Sequence, residues 1–188
     1  MSIVSRYTVE EFGHEVRRSL NVNESGMESI LQLGHLLQRF GGENSRDYFW
    51  SIGEPATISS GLPGQKLYDD PDGLFRLLLA QYPPNTPTAI HSHEGWVVIG
   101  LLEGSERYTS WRRVDDGSSP LATLELVQDH HILPGEFGYL YDGPFNVHRQ
   151  AAEAEGAVEL VLMKGRGQRL EHIDEATGEC SQPMELNR

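Results

Sequence analysis

The chain has 188 residues, of which 38% are hydrophobic, and its formal net charge is −13. This length suits one domain, or one domain with a small annex, and the hydrophobic fraction is enough for a core but not for a membrane protein. The acidity argues against a nucleic-acid partner, because no basic cluster is present to neutralise phosphates.

The chain has a single cysteine, Cys180, which excludes an internal disulfide framework and fits a reducing compartment. No long apolar region follows the N-terminus, and no apolar run approaches the roughly 20 residues that cross a bilayer. We therefore expect a cytoplasmic protein that acts on a small molecule and has no membrane partner. A homodimer is left open.

The first 45 residues predict helices. Thr8 to Glu11 has the pattern of a capping box, and Ser25 to Glu28 repeats it before apolar residues at helical spacing. Gly41-Gly42 is typical of a helix end. We expect residues 1–45 to form a helical annex that packs on the outside of a barrel formed by residues 46–188.

From about Tyr48 to about Leu162 the chain predicts successive strands separated by turns. Apolar runs at 74–82, 96–104 and 157–163 have strand character, and Pro134-Gly135 is typical of a turn. The polar tail from Gly165 predicts an extended surface segment, with one edge strand left open.

The most informative motif is His91-Ser92-His93. On a strand, side chains alternate between faces, so both imidazoles lie on one face and converge above the sheet. His148, on a distant predicted strand, adds a third nitrogen. Three imidazoles on one side of a divalent transition metal leave open positions on the other side, which suits oxygen or Lewis-acid chemistry.

The stretch from His91 to Tyr108, together with Leu133-Pro134-Gly135-Glu136, Val147-His148 and the tail from Arg169 to Glu179, resembles the cupin superfamily. More narrowly, it resembles bacterial proteins related to cysteine dioxygenase. The resemblance covers roughly residues 74–179 and implies an all-β, double-stranded β-helix barrel. It also implies that His91, His93 and His148 bind Fe(II), although three imidazoles also bind Zn, Ni, Mn or Cu.

The chain departs from that family at several positions. The glutamate ligand of many cupins is replaced by Val97 or Val98. The family's Ser-x-His-x-Tyr pattern becomes Glu159, Val161 and Met163, and no arginine occupies the position that grips the substrate carboxylate. Cysteine itself is therefore a doubtful substrate.

Further candidate residues lie near these motifs. Glu159 shares a strand face with Ala157 and Val161; we expect it to look into the cavity beside the metal, as a candidate acid or base. Tyr139 and Tyr141 are candidate catalytic aromatics. Trp96 is a candidate substrate contact, and Arg76 or Lys66 would bind an anion. His14, His35 and His172 are expected to be surface residues, and His130 and His131 are expected to lie outside the site.

The sequence thus predicts a non-haem iron dioxygenase that acts on a small thiol or another small anionic metabolite, with dioxygen as the second substrate. Two alternatives stay open. One is a metal-dependent isomerase, lyase or hydrolase without oxygen chemistry, and the other is a cupin that binds a small ligand without catalysis.

Overall fold

The computed structural model describes residues 7–22, 26–58, 61–116, 118–141, 143–165 and 169–185. Three helices come first: α1 (Val9–Val22), α2 (Met27–Glu43) and α3 (Arg46–Ile52). Ten strands follow: β1 (Glu54–Thr57), β2 (Pro63–Asp69), β3 (Phe75–Tyr82), β4 (Ile90–Ser92), β5 (Val97–Arg113), β6 (Leu124–Ile132), β7 (Phe137–Leu140), β8 (Val147–Lys164), β9 (Arg169–Ile173) and β10 (Cys180–Glu185). The fold is the predicted double-stranded β-helix barrel, with helices at its N-terminal end.

The capping box of α1 forms as predicted. The backbone N–H of Glu11 donates to Thr8 Oγ1 at 3.2 Å, and the backbone N–H of Thr8 donates to Glu11 Oε2 at 2.8 Å. In α2 the N-cap is Gly26, which makes no side-chain cap bond, and Ser25 lies outside the described residues.

The predicted end of α2 at Gly41-Gly42 is wrong, because the helix continues to Glu43. Gly41 instead allows close packing on the sheet. A Cβ at this position would lie 2.8 Å from a methyl group of Leu102. The absence of a side chain at Gly41 therefore lets α2 pack closely against β5.

The aromatic run from Tyr48 to Trp50 is helical, although we predicted strands from about Tyr48. Ser45 caps α3 by accepting from the backbone N–H of Tyr48 at 3.3 Å, and Phe49 is fully buried against Phe40, with ring centroids 5.2 Å apart. A good cap and a buried anchor outweigh the strand preference of aromatic residues. The division of the chain at residue 45 stays a prediction.

The helices pack on the outer face of the barrel, as expected. Their buried side chains, including Phe12, Leu33 and Phe40, share one core cluster with Leu77 and Leu160 of the sheet. Among the described helices, none is long and apolar enough to cross a membrane.

A second cluster fills the barrel interior, and its main walls are the long antiparallel strands β5 and β8. Both strands bend where Gly104 meets Gly156. Both glycines have positive φ, and a Cβ on Gly104 would lie 1.9 Å from the Gly156 carbonyl oxygen. Only glycine fits here, because any side chain would clash with backbone. Because of this bend, β5 and β8 each contribute to both layers of the barrel.

The tail is more structured than predicted. It forms two paired strands, and β9 also pairs with β4, placing Ile173 opposite Ile90. Ile90, Val147 and Ile173 form a small buried cluster of their own. The tail therefore completes the sheet around the histidine motif.

Candidate metal centre

The antiparallel pairing of β4 with β8 places His91 opposite His148. His93 follows His91 by two residues and lies on the same face, as the strand period requires. All three side chains are buried, with 5% exposure or less. The structure thus brings together the three predicted metal ligands, and their ligand atoms all lie within 4.8 Å of one another.

The ring nitrogens that converge are Nε2 atoms. The Nε2 of His148 lies 3.0 Å from the Nε2 of His91 and 3.0 Å from the Nε2 of His93. With a metal–nitrogen bond of about 2.1 Å, neighbouring ligands of an octahedron are about 3.0 Å apart, and those of a tetrahedron about 3.4 Å. The two distances from His148 therefore fit neighbouring ligand positions of an octahedral ion, which leaves positions for other ligands.

A neighbouring carbonyl group orients the ring of His91, and Asn146 holds the backbone of His93. His91 Nδ1 lies 2.9 Å from the Ala89 carbonyl oxygen, which leaves Nε2 free to bind a metal. The backbone N–H of His93 donates to the Asn146 carbonyl oxygen at 3.0 Å, and the Asn146 side-chain amide donates back to the His93 carbonyl oxygen. The buried Nδ1 of His148 has no hydrogen-bond partner among the described residues.

The rings of His91 and His148 are neutral at physiological pH. Burial lowers the pKa of His91 to about 4, despite the opposing hydrogen bond to Ala89. Burial, followed by the charges of His91 and His93, lowers the pKa of His148 well below its ordinary value. Neutral imidazole is the form that binds metals, so no proton has to be displaced from the ligand nitrogens at pH 7.

The histidines open onto a small and largely apolar cavity. Its volume is about 20 Å³, enough for one water molecule. Its walls come from β3, β5, β8 and the segment after β1; they are Ile58, Leu78, Ala80, Tyr82, Val97, Ile99, Gln150, Val161 and Met163, besides the three histidines. No lysine, arginine or carboxylate is among these lining residues.

The described residues supply no fourth protein ligand. The group of potential ligands contains only the three histidines, and Val97 lines the cavity where many cupins have a glutamate. Glu94 is exposed to solvent. The site is therefore a neutral set of nitrogen donors, which leaves the positive charge of a bound metal uncompensated by the protein.

Glu159 is fully buried, as its predicted inward orientation requires. It does not line the cavity but lies behind Gln150, whose side-chain amide donates to Glu159 Oε2 at 2.6 Å. The same amide lies 3.2 Å from an oxygen of Glu106, which is also fully buried. Sequence reasoning missed Gln150 and Glu106.

Both carboxyl groups lie against the side-chain amide of Gln150, and Glu159 Oε1 is buried with no hydrogen-bond partner among the described residues. Burial is the main cause that raises the pKa of both carboxyl groups, and for Glu159 the charge of Glu106 raises it further. Two carboxylates held this close and away from water repel each other unless one of them carries a proton. The pair therefore retains a proton near neutral pH.

The three predicted aromatic residues lie on the other side of the sheet. Trp96 is buried in the core between barrel and helices, and Tyr139 and Tyr141 pack against that same core. The reason is strand alternation, because Val97 and Leu140 face inward and their neighbours must face outward. The structure does not bring these aromatics to the cavity, and their predicted roles rest on the sequence alone.

Arg76 and Lys66 both form ion pairs with Asp69. Arg76 Nε lies 2.6 Å from Asp69 Oδ1, and Lys66 Nζ lies 3.6 Å from Asp69 Oδ2. Neither residue lines the cavity, although Arg76 lies opposite the cavity residue Met163 in the β3–β8 pair. Their predicted role as anion-binding groups stays a prediction.

His172 differs from the expectation of a surface residue. It is half-buried opposite His91 in the β4–β9 pair, with the two ring centroids 6.2 Å apart. The expectation failed because the tail was not predicted to pair with the histidine strand. His14 and His35 are exposed, as expected.

No family model matches the chain, and no curated protein matches it. Solved structures that resemble it include an RmlC-like cupin protein from Ralstonia eutropha, with a TM-score of 0.48 and 15% identity over 71% of this chain and 74% of that one. Another is oxalate decarboxylase from Bacillus subtilis, with a TM-score of 0.44 and 16% identity over 70% of this chain and 30% of that one. A third is a DMSP lyase from Ruegeria pomeroyi, with a TM-score of 0.44 and 12% identity over 61% of this chain and 57% of that one. Such identities transfer no activity, so the functional argument rests on the cavity itself.

Proposed function

We propose that the protein is a non-haem iron oxygenase, related to cysteine dioxygenase, that acts on a small thiol or another small anionic metabolite with dioxygen. The observation that carries the proposal is the convergence of three buried Nε2 atoms, of His91, His93 and His148, at the wall of an apolar cavity. Fe(II) would be held by these rings. When bound, it supplies a Lewis acid and a source of electrons for dioxygen.

The chain's own residues would exclude water and select the substrate by charge. Apolar walls such as Val97, Ile99 and Val161 lower the local dielectric, which strengthens the attraction between the ion and an anionic donor atom. Because no cationic side chain lines the cavity, the metal alone would compensate the negative charge of the substrate.

This arrangement disfavours an amino-acid substrate. A zwitterion would bring a second charged group into a cavity that offers it no partner, and an unpaired buried charge is costly. The free space of about 20 Å³ also requires that walls move when a substrate enters. Met163 is the most adaptable lining side chain, since methionine is unbranched and flexible.

A second candidate function is a metal-dependent isomerase, lyase or hydrolase. The buried Glu106–Glu159 pair favours it, because such reactions need an acid or base close to the Lewis acid. Zn, Ni, Mn or Cu would serve that chemistry in the same three-nitrogen site.

The deciding experiment combines metal analysis with oxygen measurements. Freshly purified protein is assayed for bound metals, reloaded anaerobically with Fe(II), and tested in an oxygen electrode with small alkyl thiols, β-diketones and enolisable acids. The proposal expects oxygen uptake that is absent in His93→Ala and slow with cysteine. Turnover that proceeds equally without oxygen would identify the Lewis-acid enzyme, and binding without any turnover would identify a non-catalytic binding protein.

A further inference from the structure

Behind the cavity wall lies an acidic cluster that the metal site itself does not use. It consists of Glu106 and Glu159, the Gln150 amide between them, and Tyr82. Both carboxyl groups are fully buried, and among the described residues neither forms an ion pair with lysine or arginine. Ionising both carboxyl groups of a buried pair that has no cation beside it costs free energy, so the pair is more than a structural element of the core.

The groups that face the pair are all neutral. Tyr82 reaches it from β3, Tyr108 lies beside it on β5, and Gln150 lies on β8. Burial raises the pKa of Tyr108 well above its ordinary value, so this phenol stays protonated. With no positive charge nearby, the pair is stable with one shared proton and is destabilised by losing it.

The position of Gln150 is fixed by its backbone. Its N–H donates to Thr88 Oγ1 at 3.1 Å, and its carbonyl oxygen accepts from the Thr88 N–H at 2.8 Å. Its side chain can therefore hold both carboxyl groups in place. Because an amide nitrogen only donates, it orients the pair and does not accept a proton from it.

Two residues connect this cluster to the cavity. Gln150 and Tyr82 both line the cavity; Gln150 is hydrogen-bonded to Glu159, and Tyr82 lies near enough to Glu159 to lower its pKa. Of the two, only the Tyr82 hydroxyl can pass a proton, since it can accept one on its oxygen while donating another. Tyr82 therefore lies between the cavity and the acid pair.

We propose that Glu106 and Glu159 are a proton-accepting pair for the three-histidine cavity, with Tyr82 as the relay and Gln150 as the positioning residue. The inference rests on the proposed function. A neutral acid that enters the cavity would lose its proton there, and a metal held by the three histidines would stabilise its conjugate base. The bond from hydrogen to the acid's donor atom breaks, Tyr82 takes that proton and passes its own to Glu159, and the singly protonated pair becomes doubly protonated. No electrons change hands.

The first test does not require metal. Infrared difference spectra of the wild-type protein in a neutral buffer should show the carbonyl band of a buried, protonated carboxylic acid. We expect the band to be shifted or lost in both Glu106→Gln and Glu159→Gln, and unchanged in the exposed control Glu125→Gln. Absence of the band from the wild type would overturn the proposal, whatever metal the protein binds.

The second test counts protons on binding of hydrogen cyanide, a small weak acid that is undissociated at neutral pH. Calorimetry of zinc-loaded protein in buffers of different ionisation enthalpy gives the number of protons released. The wild type should release clearly fewer than one proton per cyanide bound. Each glutamine variant should release close to one, because the remaining carboxyl group is already protonated. Equal release from wild type and variants would refute the pair.

Tyr82→Phe separates the relay from the pair. This variant should keep the wild-type proton count, since the pair still reaches equilibrium, but cyanide should bind at least about tenfold more slowly, as expected for loss of a proton-transfer group. An unchanged rate would remove Tyr82 from the path. If zinc-loaded protein binds no cyanide at all, the pair accepts no proton from a metal-bound acid and the proposal is overturned, whereas oxygen uptake by the iron-loaded protein still decides the proposed function.

Discussion

His91 and His148 face each other across the β4–β8 pair, with their Nε2 atoms 3.0 Å apart. Both nitrogens are buried and both rings are neutral at pH 7, because burial lowers each pKa. Two neutral rings at this distance share a single hydrogen bond at best. A divalent cation would bind both nitrogens at once, so the sheet register itself prepares the site for a metal.

Replacing His91, His93 or His148 by alanine should remove most of the bound metal while leaving the barrel folded. Each ring is one of three ligands, and two imidazoles hold a divalent ion far more weakly than three. The measurement is metal content per chain with circular dichroism as the folding check. His130→Ala, at an exposed position on β6, is the matched control and should keep its metal. Full metal content in any ligand variant would remove that residue from the site.

The stability of the protein should fall as pH rises above about 6.5. The raised pKa values of Glu106 and Glu159 mean that the native state holds more protons than the unfolded state, whose glutamates titrate near about 4.3. The free energy of unfolding therefore decreases with pH across this range. At lower pH the histidines, with their lowered pKa values, act in the opposite direction.

The measurement for this pH dependence is urea unfolding with a chelator present, between about pH 6.5 and 8.5, a window chosen because the unfolded-state histidine pKa is near about 6.5. Glu106→Gln should flatten the slope, because one buried ionisable group is gone. Parallel slopes for wild type and variant would show that the carboxyl pair does not hold an extra proton in the native state.

Ile173→Ala should weaken both the fold and the metal site. Ile173 is buried on β9 beside Ile90 of the histidine strand, and its loss leaves a cavity that costs about 2–5 kcal/mol. The control is Ile30→Ala, an equally buried isoleucine on α2 that packs far from β4. Both variants should lose similar stability in urea, but only Ile173→Ala should lose metal affinity in a chelator competition. Equal affinities would mean that β9 does not support the site.

Gly104→Ala should be far more damaging than Gly135→Ala. Both glycines have positive φ, which costs an alanine roughly 1–2 kcal/mol. A Cβ at Gly135 meets nothing within 4 Å, whereas one at Gly104 would overlap the Gly156 carbonyl oxygen. Thermal unfolding of the two variants gives the comparison. A Gly104→Ala protein as stable as Gly135→Ala would show that the bend between β5 and β8 can open without penalty.

Strand alternation was enough to predict part of the site. It placed His91 and His93 on one face, and both line the cavity. It also turned Glu159 inward with Val161 and toward the metal, but Glu159 is buried behind Gln150 and does not line the cavity. The same alternation, applied relative to the inward Val97, would also have placed Trp96 on the outer face. Trp96 is close to the histidine motif in sequence, but it lies on the strand face that points away from the cavity.

Glu106 could not be found by alternation. From Val97 to Leu101 the odd-numbered residues of β5 face inward, but register shifts between Leu101 and Glu103 and between Gly104 and Glu106 interrupt the pattern, so that Glu106 and Tyr108 face inward instead. Gly104 signals an irregularity in the strand, but a glycine does not say by how many residues the register shifts. The approach of Glu106 to Glu159 depends on these shifts.

The position of β4 in the sheet also sets the order in which the strands around the histidine motif can pair. Its two neighbours, β8 and β9, both lie downstream in the chain, so β4, with His91 in it and His93 just beyond it, has neither partner until the barrel's second half has been synthesised. A metal ion captured at that stage would meet two imidazoles on an unpaired segment, without His148. A complete three-histidine centre would therefore be available only in the finished chain, after the tail has paired with β4.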